Sequence, residues 1–310
     1  MNYVLVDSNY QVNRAIFKNN DLKNSKGDPT GGIYIFLRML YKLLERGNLI
    51  CVFDGGHSSF RTNLYPNYKK REEREETPEN KELDDIFSFT FSRLKSLLPK
   101  MDIPVVQMSG EEADDIIYRL AEYLIGQGHA VTVVSDDNDY LQMVNIGATV
   151  LRPMKDEVYL KSSFEHLRGF PPEYFIYYKA MIGDGSDNIP GIKGIGDVTA
   201  KKIIDQMIVS GPTIESLHNV SEKSTSSWGV KIKSGMSIIK RNIMLMDLAK
   251  CPLTLEDVSY TYLEAEKHSA TNISFVNGFF NEMEFTSLNH WLVHLSIKNK
   301  QEFCSVPNVL

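Results

Sequence analysis

Gly110-Glu111-Glu112-Ala113-Asp114-Asp115 and, twenty residues further on, Ser135-Asp136-Asp137-Asn138-Asp139 decide how this chain folds. Between them, Ile116, Ile117, Leu120, Ala121 and Leu124 recur at the spacing of one helical face. His129-Ala130-Val131-Thr132-Val133-Val134 follows, a β-branched run that suits a buried parallel strand. One acidic cluster therefore opens a helix, and the other stands where the next strand leaves its sheet. In open α/β sheets that edge is where ligands bind. Carboxylates crowd there only if positive charge neutralises them, because like charges disfavour each other's ionisation. A pair of divalent cations meets that need, and hard oxygen donors suit Mg²⁺ or Mn²⁺.

Towards the N-terminus the pattern repeats. Tyr3-Val4-Leu5-Val6 reads as a strand ending in Asp7, and Leu49-Ile50-Cys51-Val52-Phe53 as a second ending in Asp54. Singly, each acid reads as a helix N-cap or a loop residue. Three strands ending in acids on one sheet edge point instead to a shared site. Gly31 to Arg46 carries the apolar stripe of a helix, Leu83, Phe87, Phe91, Leu94 and Leu98 mark another ended by Pro99, and Pro104 to Met108 is a further strand. Past Asp139 come a strand at Ala148–Leu151, a hairpin through Val158-Tyr159-Leu160, and a helix opened by Pro171-Pro172 that runs to Ile182. No strand pattern recurs beyond Glu165, where the domain boundary is placed. Ser221 to Ser227 reads as a loose loop, and the last dozen residues as a disordered tail.

Bulk properties narrow the class. The 310 residues are 42% hydrophobic and 24% charged, the balance of a soluble globular chain large enough for a full core. No apolar run reaches the roughly 20 residues that span a bilayer, and the first residues lack a signal peptide's pattern. Cys51, Cys251 and Cys304 are few, odd in number and far apart, which argues for a reducing cytoplasm and against a disulfide framework or a cysteine zinc site. The formal net charge of −6 does not exclude a nucleic-acid partner, because distribution matters more than the sum. Lys193, Lys201, Lys202, Lys231, Lys233, Lys240 and Arg241 all gather in one later segment. His57, His129 and the other histidines have no ligand spacing and read as structural.

Two stretches break the ordinary composition. From Phe60 to Pro78, Arg61, Tyr65, Tyr68, Lys69, Lys70, Arg71 and Arg74 interleave with Glu72, Glu73, Glu75 and Glu76. The stretch is either a solvated helix with i,i+4 ion pairs or a mobile basic element that grips a phosphate backbone and stacks a base. The second is Gly183-Asp184-Gly185-Ser186-Asp187-Asn188-Ile189-Pro190-Gly191-Ile192-Lys193-Gly194-Ile195-Gly196. Its glycines are misplaced for a dinucleotide loop and no strand precedes it. A glycine hairpin between helices fits better, baring backbone N–H groups for a phosphate oxygen without reading a base.

These motifs resemble the 5′ nuclease family: bacteriophage flap endonucleases and 5′–3′ exonucleases, and the 5′ nuclease domain of bacterial DNA polymerase I. The resemblance rests on Val52-Phe53-Asp54-Gly55, Phe60-Arg61, Tyr68-Lys69, Glu112-Ala113-Asp114-Asp115, Asp137-Asn138-Asp139, the Gly183–Gly196 segment, and the hydrophobic Phe279 to Phe285 near the end. It covers residues 3 to 290. It implies an α/β fold with a central, mostly parallel sheet flanked by helices (the PIN-like 5′ nuclease core), a helical arch and a C-terminal all-α helix–hairpin–helix domain. Residues 1–165 would be the catalytic domain, with the arch over about 60–98; 166–290 would hold the helix–hairpin–helix and 291–310 a tail.

Carried over by position, the resemblance implies a first metal site at Asp7, Asp54, Glu112 and Asp114, with Asp137 near both ions. A second site would be Asp139, Asp184 and Asp187, with Asp115 between the two. Two Mg²⁺ or Mn²⁺ ions would be the cofactors. Lys69 at the arch base would contact the scissile phosphate. The family's arginine lies three residues after that lysine; here Arg71 and Arg74 stand at two and five and either could serve, with Arg71 taken as the catalytic candidate. Arg61, Tyr65, Lys70 and Arg74, with Gly191, Lys193, Gly194, Gly196, Lys201 and Lys202 on the hairpin, would bind DNA, and a K⁺ ion would sit at the hairpin. Ser135-Asp136-Asp137-Asn138-Asp139 replaces the family's commoner Thr-Gly-Asp-Lys-Asp, and Asp136 is read as an added carboxylate facing solvent.

The expected activity is structure-specific hydrolysis of phosphodiester bonds at 5′ ends, flaps, nicks or RNA–DNA primer junctions during replication, with a polymerase or single-strand-binding protein as partner. With no polymerase segment following, a stand-alone cytoplasmic monomer of bacterial or phage type is expected. Two rivals share some features: a toxin-type PIN RNase, which lacks the Gly183–Gly196 segment, and a catalytically idle junction-binding protein.

Overall fold

The first strand, β1 (Asn2–Asp7), buries every residue after its first two, and its neighbours explain why. In the computed structural model, which describes residues 1–19, 21–70 and 77–296, β1 pairs in parallel with β2 (Asn48–Phe53) on one side and with β4 (Ala130–Val134) on the other. Beyond β2 lies β3 (Val105–Gln107), and beyond β4 lies β5 (Thr149–Arg152), both parallel; β6 (Glu157–Tyr159) closes the edge as an antiparallel hairpin with β5. The order is β3-β2-β1-β4-β5-β6. Chain order reverses between β1 and β4, and ligands of open α/β sheets settle outside the carboxyl ends of strands at such a switch.

Near-continuous apolar strands need cover on both faces. Val4, Val6, Cys51, Phe53, Val134 and Leu151 point to a face packed by α1 (Ser8–Lys18), α2 (Gly31–Leu43) and α4 (Pro78–Leu97). The expected helix to Arg46 ends as α at Leu43 and tightens into a 3₁₀ turn over Leu44–Arg46. Between β2 and α4 sits the short α3 (Ser59–Leu64). Leu5, Ile50, Val52, Val131, Val133 and Val150 point to the other face, covered by α5 (Ala113–Gly126) and, past α6 (Lys161–Arg168), by α7 (Phe175–Ile182) and the helical half of the chain.

That half comprises α8 (Asp197–Met207), α9 (Ile214–Lys223), α10 (Ser227–Ser234), α11 (Met236–Met246) and α12 (Leu255–Lys267). Its apolar residues are continuous with those under the sheet. The last helices return to the opposite face. Val276, Phe279 and Phe280 of α13 (Ile273–Glu282), then Trp291 and Leu295 in the helical residues 289–296, pack with α1, α2 and α4. Residues 291–296, assigned above to a tail, are thus part of the core.

Two other expectations change. A two-stranded ladder, β7 (Gly183–Asp184) with β8 (Ile189–Pro190), lies beyond residue 165, where no strand was expected. It is too short to leave a period-2 signal. The Ser221–Ser227 loop is shorter than read, because α9 runs through Lys223 and α10 opens at Ser227. Arg71, Arg74, Cys304 and the terminal dozen residues lie outside the described residues. Among the described residues no helix is long and apolar enough to cross a membrane.

Candidate active site

The acids at the carboxyl edge begin as structural groups. Asp7 caps α1, its Oδ1 accepting from the Tyr10 N–H at 3.1 Å, while its Oδ2 accepts from the Ser135 hydroxyl at 2.9 Å. Asp54 reaches across to α5 and accepts the Ala113 N–H at 2.7 Å, satisfying a first-turn donor that Glu112 leaves uncapped. Its own N–H is held by Asn9 Oδ1, and its carbonyl by Gln107 Nε2. Asp114 Oδ1 accepts the N–H of Asp115, the third residue of α5. Gly55 N–H to Glu111 and Gly110 N–H to Gly55 stitch the loops after β2 and β3 together. Helix starts and strand ends thus converge on one edge.

Burial and mutual repulsion then shape the charges. Burial pushes Asp7 up to about 7; Tyr10 and Ser135 oppose this, while Asp54 and Asp137 add to it. Asp54 is also raised, first by burial and then by Asp114 and Glu112, against Lys69. Asp114 is raised by burial, Glu112 and Asp137, against Arg61 and Lys69. Asp137 lies open to solvent on one side, but the protein around it and Asp184 raise its pKa despite Lys179 and Lys69. Burial raises Asp187 to about 6, with Asp184, Asp114 and Asp137 adding to it against Lys69. Asp7, Asp54, Asp114, Asp137, Asp184 and Asp187 therefore share one field.

Cations of the chain are set among them. Arg61 is buried at 2% exposure, makes a two-pronged bond to Asp115 at 2.5 and 2.6 Å, and donates Nε to the Leu245 carbonyl. Burial alone would lower its pKa; Asp114 and Asp115 outweigh that and keep it charged. Glu112 Oε2 accepts from the Tyr68 hydroxyl and from Lys69 Nζ, both at 2.8 Å. Lys69 is likewise held charged, with Asp114 and Glu112 outweighing burial, and Glu112 is lowered by Lys69 and Arg61 against its own burial. Across the edge, Lys179 on α7 bonds both Asp139 and Asp184.

The expected residues divide accordingly. Asp7, Asp54, Glu112, Asp114, Asp137, Asp139, Asp184, Asp187 and Lys69 meet at the carboxyl edge. Asp115 does not join them, since it is 0% exposed with both oxygens on Arg61. Arg61, expected on DNA, is inside for the same reason. Asp136, expected in solvent, is 7% exposed. Tyr65 lies under the Arg241 guanidinium, 4.4 Å from ring centroid to Cζ, and Lys70 is exposed. On the hairpin, Lys193, Gly194, Gly196 and Lys202 are exposed, whereas Lys201 pairs with Asp197 at 3.2 Å. Gly194 adopts φ +78°, the left-handed turn that bares its backbone ahead of α8.

Lys179 and Ser135 escaped the sequence reading. A lysine inside the apolar octet Phe175–Ile182 was the available signal, because a buried ammonium needs carboxylate partners. Among the described residues, no three His, Cys, Asp or Glu side chains already stand in an arrangement that could hold a metal ion. Yet the donor set fits a divalent cation: hard oxygens, crowded and desolvated, with Asp7, Asp54, Asp114, Asp137 and Asp187 raised first by burial and then by neighbouring carboxylates. A cavity of about 820 Å³ opens at the opposite edge, beside Asn48, Pro104 and Trp291, and includes none of these acids.

The fold and acidic edge belong to a chain whose family is one of nucleases, hydrolases of phosphodiester bonds. Residues 2–168 match the family described as 5′-3′ exonuclease, N-terminal resolvase-like domain, and residues 170–266 match its C-terminal SAM fold. The chain belongs to the 5′–3′ exonuclease family. A 5′-3′ exonuclease of Aquifex aeolicus is 37% identical over 205 residues, covering 65% of this chain and 68% of that one. DNA polymerase I of Bacillus subtilis is 30% identical over 96% of this chain, which spans only 33% of that relative's length. In fold, the chain is similar to T5 5′-exonuclease with divalent zinc bound, at TM-score 0.69 and 22% identity over 86% of this chain and all of the other. It is also similar to human GEN1 in complex with Holliday junction DNA, at TM-score 0.55 and 18% identity over 99% of this chain and 75% of that one.

Proposed function

We propose that this chain is a metal-dependent 5′ nuclease that cuts DNA at 5′ ends, flaps and nicks, and removes RNA–DNA primer remnants in replication. The observation that carries the reading is Lys69, an ammonium among Glu112, Asp114 and Asp187 at the switch point of the sheet. Asp7, Asp54, Glu112 and Asp114 would hold one divalent cation and Asp139, Asp184 and Asp187 the other, with Asp137 near both. Such ions, when bound, supply an ionised water and neutralise charge on the leaving oxygen. The chain's own groups do the rest. Ser135 orients Asp7, Tyr68 and Lys69 orient Glu112, and Lys69 presents a fixed positive charge to a phosphate that grows more negative in the transition state. Residues 166–290 hold the duplex behind the cut through the Gly191–Gly196 hairpin and its lysines.

The test uses a 5′-labelled flap, a nicked duplex and an RNA–DNA hybrid, each with Mg²⁺ and then with EDTA. Short labelled products that need the cation support the reading. Flap binding that persists in EDTA, with no product when Mg²⁺ or Mn²⁺ returns, would establish an idle junction binder instead.

A further inference from the structure

The turn after β4 is tied down by residues that lie outside the set of expected ligands. Arg152, at the end of β5 and 1% exposed, donates Nη2 to the Asp136 carbonyl at 2.6 Å, and its Nη1 lies 3.6 Å from Glu157 Oε2 across the hairpin. The Asp136 carboxylate, also buried, accepts the Met154 N–H at 2.9 Å through Oδ1, and Arg14 stands 3.8 Å from Oδ2. Backbone and side chain of one residue are thus pinned to the β5–β6 hairpin from two directions. The residues on either side carry the acids. The Asp137 N–H donates to Ser135 Oγ at 3.2 Å, the same oxygen that donates to Asp7, and Asp137 Oδ1 accepts the Asp139 N–H at 2.8 Å.

We infer that Asp136 and Arg152 are positioning residues that fix the Asp137–Asp139 turn in register with Asp7 for cation binding. The inference rests on the nuclease reading above. An arginine and an aspartate buried at a strand end are costly unless paired. Here the ion pairs are long, 3.8 Å from Arg14 to Asp136 and 3.6 Å from Arg152 to Glu157, and Asp136 Oδ2 and Arg152 Nε make no hydrogen bond. That expense is intelligible if the pair holds the turn against the repulsion among Asp7, Asp137 and Asp184. Partners behind ligating side chains typically set metal affinity by roughly 10–100-fold.

The test takes the full chain as Arg152→Met, Arg152→Lys and Asp136→Ala. Mn²⁺ binding is followed by calorimetry without DNA, Mg²⁺ midpoints and KM by flap cleavage, and flap affinity by gel shift in EDTA. Expected is Mn²⁺ binding weakened roughly 10–100-fold in Arg152→Met and Asp136→Ala, with partial recovery in Arg152→Lys, which keeps a donor for the Asp136 carbonyl. KM for the flap and affinity in EDTA should stay as in the unaltered chain. Unchanged Mn²⁺ affinity in folded Asp136→Ala and Arg152→Lys overturns the inference. So does an equal loss of flap affinity in EDTA, which would mark general loosening. If the unaltered chain itself neither binds Mn²⁺ nor cleaves, the nuclease reading fails instead.

Discussion

Lys69 has φ +48°, a left-handed conformation that a side chain other than glycine's rarely accepts. Its N–H donates to the Asp187 carbonyl at 3.0 Å and its Nζ to Glu112, so the strained residue is held from both ends. Replacing it with alanine should slow the chemical step roughly 10²–10³-fold, the usual loss for a preorganised charge. Single-turnover rates at saturating enzyme would show this, with flap affinity little changed. Asp137→Asn should abolish cleavage while leaving duplex binding intact in EDTA. Asp7 makes a prediction about pH. Its pKa is raised from an ordinary 3.8 to about 7, so between those values the folded chain keeps a proton that the unfolded chain has released. Its contribution to the stability of cation-free protein therefore falls as pH rises from about 4 to about 7, and levels off above. Urea midpoints of Asp7→Asn relative to the unaltered chain, across that range, would trace it. At this scale the sequence was half legible. Asp7, Asp54 and Asp137 declared themselves because each follows an apolar strand. Lys179 and the buried pairing of Arg61 with Asp115 did not, because a basic residue's spacing says nothing about which carboxylate it will meet.

Among elements, α5 and the Gly183–Gly196 segment do most to place the site. The helix was legible throughout, from its acidic first turn to its apolar stripe, since both depend only on local order. The ladder of β7 and β8 was not, because two-residue strands leave no pattern. It depends on Gly183, at φ +79°, where a Cβ would overlap the backbone of Ile189, Pro190 and Gly191. At Gly194 a Cβ meets chiefly the flexible end of Lys231. Gly183→Ala should therefore lower melting temperature and cleavage sharply, whereas Gly194→Ala, strained only by its φ of +78°, should lower the melting temperature less and lose mainly duplex affinity. Melting curves beside gel shifts would separate the two. Arg61→Ala should cost about 3–5 kcal/mol in urea unfolding, because Asp115 would be left buried without its partner.

At the scale of the molecule, the parallel sheet and the later helices were legible from periodicity, but the path of the chain was not. Sequence order placed residues 273–290 with the helical half and those from 291 in a tail. In space they cross to the opposite face, and Val276, Phe280 and Trp291 are buried there beside α2 and α4. Truncation after residue 268, which keeps both family-matched segments, would uncover several aromatic side chains each worth roughly 3–5 kcal/mol. That sum rivals the whole stability of a typical domain. The shortened chain should fail to give a cooperative melt, while the chain ending at 296 should give one.

The wall that carries Lys69 is fastened to the helical half: Tyr68 packs against Ile189, Leu245 and Met246, and Arg61 holds the Leu245 carbonyl. Whatever displaces those helices therefore displaces the lysine with them, because one apolar seam and one buried guanidinium join the two.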